Sequence, residues 1–273
     1  MAQRPLKGAG IVITRPAHQA EALINRLTSK GAEVLHFPTI EIGPAPHSAE
    51  LTSLLDGLDR YQYAIFISPN AVQYAARLVD LAGLPATLKI AAIGPGTARA
   101  LTAHGRKPDM LPRDGASSEA LLKLKALNAV NGKRVLIFRG QGGRELLAET
   151  LEERGAEVDY AEVYRRSVPR PELSALQRWF RDGRVDAIVV TSREALLNLD
   201  RMLSPALTPY LRASQLLVSS ARLIKLASAL GIRRRPLIAD DAGDAALQAA
   251  LAQWWSLQGR EPHRNRREHE RSQ

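Results

Sequence analysis

Short apolar runs alternate along the chain with longer segments whose apolar residues recur at helical spacing. Residues 11–13 form an apolar run that is too short for a buried helix and suits a strand covered on both faces. Pro16 is well placed to begin a helix, in which Leu23 and Leu27 recur at helical spacing. Gly31 ends that helix, and a second strand follows. The pattern predicts a β-α-β unit, the building block of a parallel sheet.

The same pattern returns in residues 135–166. Ile11 aligns without a gap with Val135, an offset of 124 positions. The identities in register are Ile13/Ile137, Arg15/Arg139, Glu21/Glu145, Leu23/Leu147 and Leu27/Leu151, and the turn Gly-Ala-Glu-Val at 31–34 and 155–158. Later segments also correspond, so the repeat extends from residue 11 to about residue 255. We interpret it as an internal duplication.

The duplication predicts two similar α/β domains, each with a parallel sheet. Breaks at 43–46 and 164–169 lie at equivalent places in the two copies. They permit two arrangements: each half folds by itself, or the halves exchange their opening β-α-β units. In the exchanged arrangement, one domain consists of residues 1–40 and 167–258, and the other of residues 41–166. The periodicity alone is compatible with both.

Composition narrows the classes of function. The chain has 273 residues and no cysteine, which excludes disulfides, thiol catalysis and thiolate metal sites. No apolar run is long enough to span a bilayer and no signal sequence is evident, so we expect a cytoplasmic protein. Residues 259–273 mix charges without a structured pattern and are predicted to form a disordered basic tail. Because no long exposed apolar stripe is predicted, we expect a monomer.

Small polar residues stand at several predicted strand ends, just before helices. The candidates for ligand contacts are Thr14, Arg15, Ser68, Asn70, Thr97, Arg139, Ser192 and Ser219. Ligands of parallel sheets gather at the carboxyl ends of strands, where helix N-termini offer unpaired N–H groups to anions. The set therefore favours a ligand with carboxylates or phosphates, although each hydroxyl alone is equally compatible with a helix cap. The helix after residues 94–96 is expected to begin at Thr97, and a short strand is expected at 109–111.

The sequence contains no complete catalytic or metal-binding motif. None of the six histidines has metal-ligand spacing with a carboxylate partner. The turn at 94–96 lacks the third glycine of a dinucleotide site. The stretch GQGG at 140–143 is compatible with a phosphate-binding loop or with a flexible turn. Tyr164 is the one side chain at a predicted crossing between the domains whose hydroxyl could act as an acid. The alternative interpretation is that it is only an aromatic residue at a strand end.

The motifs in this order resemble those of the uroporphyrinogen-III synthase family. The resemblance rests on VITRPAHQAEALINRLTSKGAEVLHFPTIEI (12–42), IFISPNAV (65–72), AIGPGTARAL (92–101), EVYRRSVP (162–169) and VVTSREAL (189–196). It spans about residues 9–255. It implies the exchanged arrangement: two flavodoxin-like domains joined by a two-stranded linker, with a wide cleft between them.

The resemblance also implies the chemistry. The family cyclises hydroxymethylbilane to uroporphyrinogen III, with loss of water and inversion of ring D, in tetrapyrrole (heme) biosynthesis. It implies no metal or organic cofactor. The family's important tyrosine corresponds to Tyr164, whose phenol we expect to protonate or hold the departing hydroxyl. The substrate's eight carboxylates fit a chain with a formal net charge of +10, and the eight polar candidates are then expected substrate contacts. A transient contact with hydroxymethylbilane synthase is left open.

Two other classes of function fit part of this pattern. A non-catalytic two-domain binder of a small anion fits every feature except the family motifs. A nucleic-acid binder would use the arginine-rich tail, but the aromatic share of 5% and the lack of a structured docking element argue against it. We therefore expect no nucleic-acid partner.

Overall fold

Two five-stranded sheets carry the fold, one in each of two units of the chain. The structure is a computed structural model that describes residues 4–143, 145–170 and 172–258. The described residues of Met1–Glu41 and Ser167–Gln273 form unit 1, and those of Ile42–Arg166 form unit 2. The predicted basic tail, residues 259–273, lies outside the described residues.

Strands and helices are numbered in chain order. The strands are β1 (Gly10–Ile13), β2 (Glu33–His36), β3 (Glu41–Pro44), β4 (Tyr63–Phe66), β5 (Lys89–Ala92), β6 (Arg134–Gly140), β7 (Glu157–Ser167), β8 (Ala187–Val190), β9 (Gln215–Val218) and β10 (Leu237–Ile238). The helices are α1 (Ala17–Ser29), α2 (Ala49–Asp56), α3 (Pro69–Ala75), α4 (Pro95–Ala103), α5 (Ser118–Leu122), α6 (Leu146–Glu153), α7 (Ser174–Arg181), α8 (Arg193–Met202), α9 (Thr208–Ala213), α10 (Ala221–Ala229) and α11 (Asp244–Leu257). Short 3-10 turns cover Leu58–Arg60 and Lys125–Leu127.

The strand order is β10-β9-β8-β1-β2 in unit 1 and β3-β7-β6-β4-β5 in unit 2. The neighbours from β10 to β2 and from β7 to β5 pair in parallel. Strands β1 and β2 therefore share a sheet with the late strands β8, β9 and β10. Unit 1 has the strand order typical of flavodoxin-like sheets. Unit 2 repeats that order through β7-β6-β4-β5, and Met110 makes one parallel bridge to Ala91 in the place that corresponds to β10.

Alternate residues of the central strands pack on opposite faces of the sheet. In unit 2, Phe66 and Phe138 stack with ring centroids 4.4 Å apart and join the core under α3 and α4. Ile65 and Ile137 join the other core, with residues of α5 and α6. Because both faces are covered, these strands are continuous apolar runs, and each such side chain contributes about 1.5–3 kcal/mol of burial.

Most helix boundaries follow from single residues. Gly31 and Gly155 end α1 and α6 with φ of 94° and 83°, which confirms the predicted stops. The prediction that a helix begins at Thr97 is wrong: α4 begins at Pro95, whose fixed φ suits the first turn. The predicted strand at 109–111 is reduced to the bridge at Met110, because Pro112 has no N–H group to continue the ladder.

Candidate active site

The carboxyl ends of β6 and β4 form the point in unit 2 where the strand order reverses. From β6 the chain continues through α6 to β7 on one side, and from β4 it continues through α3 to β5 on the other. Open α/β sheets bind ligands in the crevice outside such a reversal. Gly140 ends β6, and Ser68 follows β4 at the same edge. This edge is therefore the candidate site of unit 2.

Tyr164 reaches across this edge from β7. The register shifts between Arg139 and Gly140, so that Gly140 lies opposite Tyr164. A Cβ atom on Gly140 would lie 2.6 Å from the Cε2 and Cζ atoms of Tyr164, so the ring occupies the space that only glycine leaves free. The hydroxyl lies 3.3 Å from the Oγ atom of Ser68. The residue is 3% exposed, and its ring stacks on Tyr74 with centroids 5.9 Å apart.

The other candidates on the same face belong to the first turns of α3 and α4. Ser68 caps α3, because its Oγ atom accepts a hydrogen bond of 3.0 Å from the N–H of Ala71. Asn70 and Thr97 are buried in α3 and α4. A Cβ atom on Gly96 would lie 3.6 Å from the Cγ atom of Pro69, so the two first turns lie side by side. The structure thus brings Ser68 and Tyr164 into contact and places Asn70 and Thr97 in the adjoining turns.

Arg139 lies on the other face of the sheet. Its guanidinium is 4.4 Å from the centroid of the Tyr160 ring, and Tyr160 packs against the core under α5 and α6. Its Nη1 atom donates to both carboxylate oxygens of Glu145, at 3.2 and 3.3 Å, and the Tyr160 hydroxyl donates to Glu145 as well. That hydroxyl, followed by the charge of Arg139, lowers the pKa of Glu145. Burial and the Glu145 carboxylate raise the pKa of Tyr160 to about 12.

The four candidates of unit 1 all have partners within that unit. Thr14 is fully buried, and its Oγ1 atom donates to the carbonyl oxygen of Val189 at 2.8 Å. Arg15 pairs through Nη1 with Asp244 at 2.6 Å and donates through Nη2 to the carbonyl oxygen of Ala242. The hydroxyl of Ser192 caps α8, and that of Ser219 donates to the carbonyl oxygen of Thr191. These hydrogen bonds fix the strand ends. A ligand would therefore contact these four side chains only by replacing their present partners, or it would bind to neighbouring backbone N–H groups instead.

Three residues at or beside the stacked rings of Tyr74 and Tyr164 were not among the candidates predicted from the sequence: Tyr74, Arg77 and Arg166. Tyr74 supports the ring of Tyr164 and is itself fixed by a hydrogen bond of 2.7 Å to the carbonyl oxygen of Ile42. The guanidinium of Arg166 lies 6.0 Å from the Tyr164 ring centroid, and that of Arg77 lies 4.5 Å from the Tyr74 ring centroid. These cations are suited to a ligand rich in carboxylates. The sequence signal that could have identified Arg166 is the pair of arginines directly after Tyr164.

Two general features of the described residues bear on ligand class. Within residues 4–143, 145–170 and 172–258, no group of three or more histidine, aspartate or glutamate side chains is arranged to hold a metal ion. Over the same ranges, no helix is both long and apolar enough to cross a membrane.

The sequence matches known proteins along most of its length. The family model of "Uroporphyrinogen-III synthase HemD" matches residues 21–236. A uroporphyrinogen-III synthase of Escherichia coli is 36% identical over 245 residues, with 88% of this chain and 99% of the relative covered. The uroporphyrinogen-III synthase of Salmonella typhimurium is 38% identical over 250 residues, with the same shares covered. The resemblance stated from the motifs is confirmed.

Solved structures show the same fold. A mutant uroporphyrinogen III synthase of Thermus thermophilus superposes with a TM-score of 0.59 at 20% identity, covering 90% of this chain and 99% of that one. The uroporphyrinogen-III synthetase of Helicobacter pylori gives a TM-score of 0.56 at 17% identity, covering 92% and 100%. At these identities the likeness concerns the fold alone. It confirms the predicted α/β fold with parallel sheets.

Proposed function

Because the chain belongs to the uroporphyrinogen-III synthase family, the cyclising lyases of porphyrin biosynthesis, we propose that it converts hydroxymethylbilane to uroporphyrinogen III with loss of water and inversion of ring D. The observation that carries this proposal is Tyr164. Its hydroxyl stands beside Ser68 at the reversal point of the unit 2 sheet, on a ring that Gly140 and Tyr74 hold in place. One fixed proton donor is what the first step of such a reaction requires.

The proposed first step is departure of the substrate's hydroxyl group. The C–O bond breaks as the phenol of Tyr164 gives its proton to the leaving oxygen, so that water departs and a delocalised pyrrole cation remains. We propose that the Ser68 hydroxyl, 3.3 Å away, donates to the phenol oxygen and thereby strengthens the phenol as a proton donor. Because the net reaction loses only water, the proton returns to Tyr164 when the rings regain aromaticity after closure. For the rest of catalysis, the protein holds the substrate's chain of pyrrole rings folded, so that the substituted carbon of the last ring makes the attack.

Substrate carboxylates are proposed to bind at the helix starts and at the basic side chains. The eight candidates remain the proposed contacts: Thr14, Arg15, Ser68, Asn70, Thr97, Arg139, Ser192 and Ser219. Since the hydroxyls of Thr14, Ser192 and Ser219 are used internally, we propose that these positions act through neighbouring backbone N–H groups. Arg77 and Arg166 join the proposed set because they flank the rings of Tyr74 and Tyr164.

We also propose that the two units are duplicated domains, connected through the 41–44 and 164–169 segments, that act on one substrate molecule together. The offset of 124 positions and the shared strand order support the duplication. The protein is proposed to act as a cytoplasmic monomer without a cofactor. Sedimentation equilibrium of the full chain, with a mass of 29.9 kDa, tests the monomer.

Isomer analysis of the product tests the function. Hydroxymethylbilane is generated in the assay, the protein is added, and the oxidised products are separated chromatographically. The expected result is predominantly the type III isomer, against type I in a control without protein. Type I alone from demonstrably folded protein would overturn the function and leave the non-catalytic anion binder as the better interpretation.

The role of Tyr164 is tested with Tyr164→Phe, which keeps the ring over Gly140 and removes only the hydroxyl. We expect turnover to fall by up to about 10²-fold, the low end of the range for proton donors, with type III still the enzymatic product. Unchanged turnover would remove the proposed role of the phenol while leaving the function intact.

A further inference from the structure

Carboxylates of the chain itself occupy hydrogen-bond donors at the carboxyl end of β6. Arg139, only 2% exposed, donates from Nη1 to both oxygens of Glu145. Three residues further on, the N–H of Gly142 donates to the Oε1 atom of Glu162 at 3.2 Å. The Glu145 side chain is 50% exposed, and Glu162 is half-buried. Two partly exposed anions therefore cover donors at the edge where ligands of this fold bind.

Loop 141–143 has a backbone shape that brings it against Arg139. Gly142 and Gly143 have φ of 68° and 122°, a region that favours glycine. A Cβ atom on Gly143 would lie 3.1 Å from the Nη2 atom of Arg139, so this backbone passes directly beside the guanidinium. At the start of the loop, the N–H of Gln141 donates to the carbonyl oxygen of Tyr164 at 2.8 Å. The loop is thus anchored to the residue that we propose as the proton donor.

Glu145 is poorly explained as a purely structural residue. It stands at the N-cap position of α6 but its side chain makes no capping hydrogen bond. Instead it turns to Arg139 and accepts from the Tyr160 hydroxyl. An ion pair between a buried guanidinium and an exposed carboxylate contributes little net stability, because the desolvation of the cation offsets the attraction. A buried arginine at this edge is better explained by a second anion that takes the place of Glu145.

We propose that Arg139 and loop 141–143 form a carboxylate-binding site for the substrate, and that Glu145 and Glu162 fill it until substrate carboxylates displace them. The inference rests on the proposed function, because the proposed substrate carries eight carboxylates and some of them are available to bind at this site. Filling by internal carboxylates keeps Arg139 neutralised between turnovers. It also makes binding selective, since only a ligand carboxylate that is positioned by the rest of the site replaces Glu145.

Neutral variants of the two glutamates test the proposal. Glu145→Gln and Glu162→Gln are each expected to lower KM, and the Kd of the octacarboxylate uroporphyrin III, by about three- to fivefold, because each weakens one partly exposed hydrogen bond to a carboxylate. Porphyrin fluorescence anisotropy measures that Kd. Glu149→Gln is the matched control, since it makes the same charge change on an exposed position of α6. It is expected to change both constants by less than about twofold, because Glu149 is exposed, and the hydrogen bonds of Arg139 and of the Gly142 N–H described above go to Glu145 and Glu162.

A double-mutant cycle separates displacement from general electrostatics. In an Arg139→Gln background, the gain from Glu145→Gln is expected to disappear, because the shared partner is gone. Equal constants for Glu145→Gln and Glu149→Gln would overturn the proposal, as would a gain that survives Arg139→Gln. If Glu145→Gln fails to fold, Glu162→Gln carries the same test through the Gly142 N–H. Absence of type III product from the unaltered chain would instead be a failure of the proposed function.

Discussion

The position of Tyr164 depends on its neighbours more than on its single hydrogen bond. The irregular pairing at Gly140 changes the direction of the Tyr164 side chain, and the missing Cβ atom of Gly140 makes room for its ring. The ring of Tyr74 stacks on it. Tyr74 is fixed in turn by Ile42. A proton donor held on several sides loses little freedom when the substrate binds, which is the requirement for a site of fixed geometry.

Replacement of Gly140 by alanine tests that dependence. A Cβ atom 2.6 Å from the Tyr164 ring forces the ring to move, and overpacking of this kind costs about 1–3 kcal/mol of stability. We expect Gly140→Ala to lower turnover at least as much as Tyr164→Phe does. Gly43→Ala is the control, because no atom lies within 4 Å of the added Cβ atom there. Full activity of Gly140→Ala would show that the ring position is unimportant.

Tyr61 predicts how stability responds to alkaline pH. Burial, followed by its hydrogen bond of 2.7 Å to Asp159, raises the pKa of Tyr61 to about 12. A raised pKa favours the neutral phenol in the folded state, so its contribution is complete below about pH 10 and is lost as pH rises through 12. Urea titration at pH 8 and at pH 11 measures the free energy of unfolding. Between these two pH values, Tyr61→Phe is expected to lose less unfolding free energy than the unaltered chain loses. Equal losses would contradict it.

At the scale of elements, the sequence predicts a feature when a single residue or a local run determines it. It does not predict features that depend on contacts between distant strands. Gly31, Gly155 and the apolar runs predicted the helix stops and the parallel strands, because turns and two-sided burial are local properties. The irregular pairing before Gly140 and the ion pairs of Arg15 and Arg139 depend on partners from other elements. No periodicity encodes such partners, so the sequence predicts candidate site residues by their positions at strand ends, and it does not predict their contacts.

Helix α3 links stability to the site through its cap. Ser68→Ala removes the cap and the hydroxyl partner of Tyr164 together, whereas Ser117→Ala removes only the cap of α5, a hydrogen bond of 3.2 Å to the N–H of Ala120. Both variants are expected to lose about 1 kcal/mol of unfolding free energy. Only Ser68→Ala is expected to slow turnover. Equal turnover in the two variants, measured with stability by urea titration, would limit Ser68 to capping.

At the scale of the whole molecule, the two copies keep an arginine at equivalent positions with different partners. Arg15 pairs with Asp244 at the start of α11, whereas Arg139 pairs with Glu145 just before α6. The acidic partner thus comes from a distant element in unit 1 and from the adjoining helix in unit 2. The copies share a framework, and we infer that each holds substrate carboxylates in its own way.

The framework also predicts how the chain unfolds. All three tryptophans, Trp179, Trp254 and Trp255, lie in unit 1, so tryptophan fluorescence follows that unit while far-UV circular dichroism follows both. Leu23 and Leu147 are buried at equivalent positions of the two copies, and replacing a buried leucine by alanine costs about 2–5 kcal/mol. Leu23→Ala is expected to lower the fluorescence midpoint in urea, and Leu147→Ala is expected to leave it unchanged while it shifts part of the dichroism curve. If Leu147→Ala moves the fluorescence curve as far as Leu23→Ala does, the units unfold as one, and the expectation that they unfold separately is wrong.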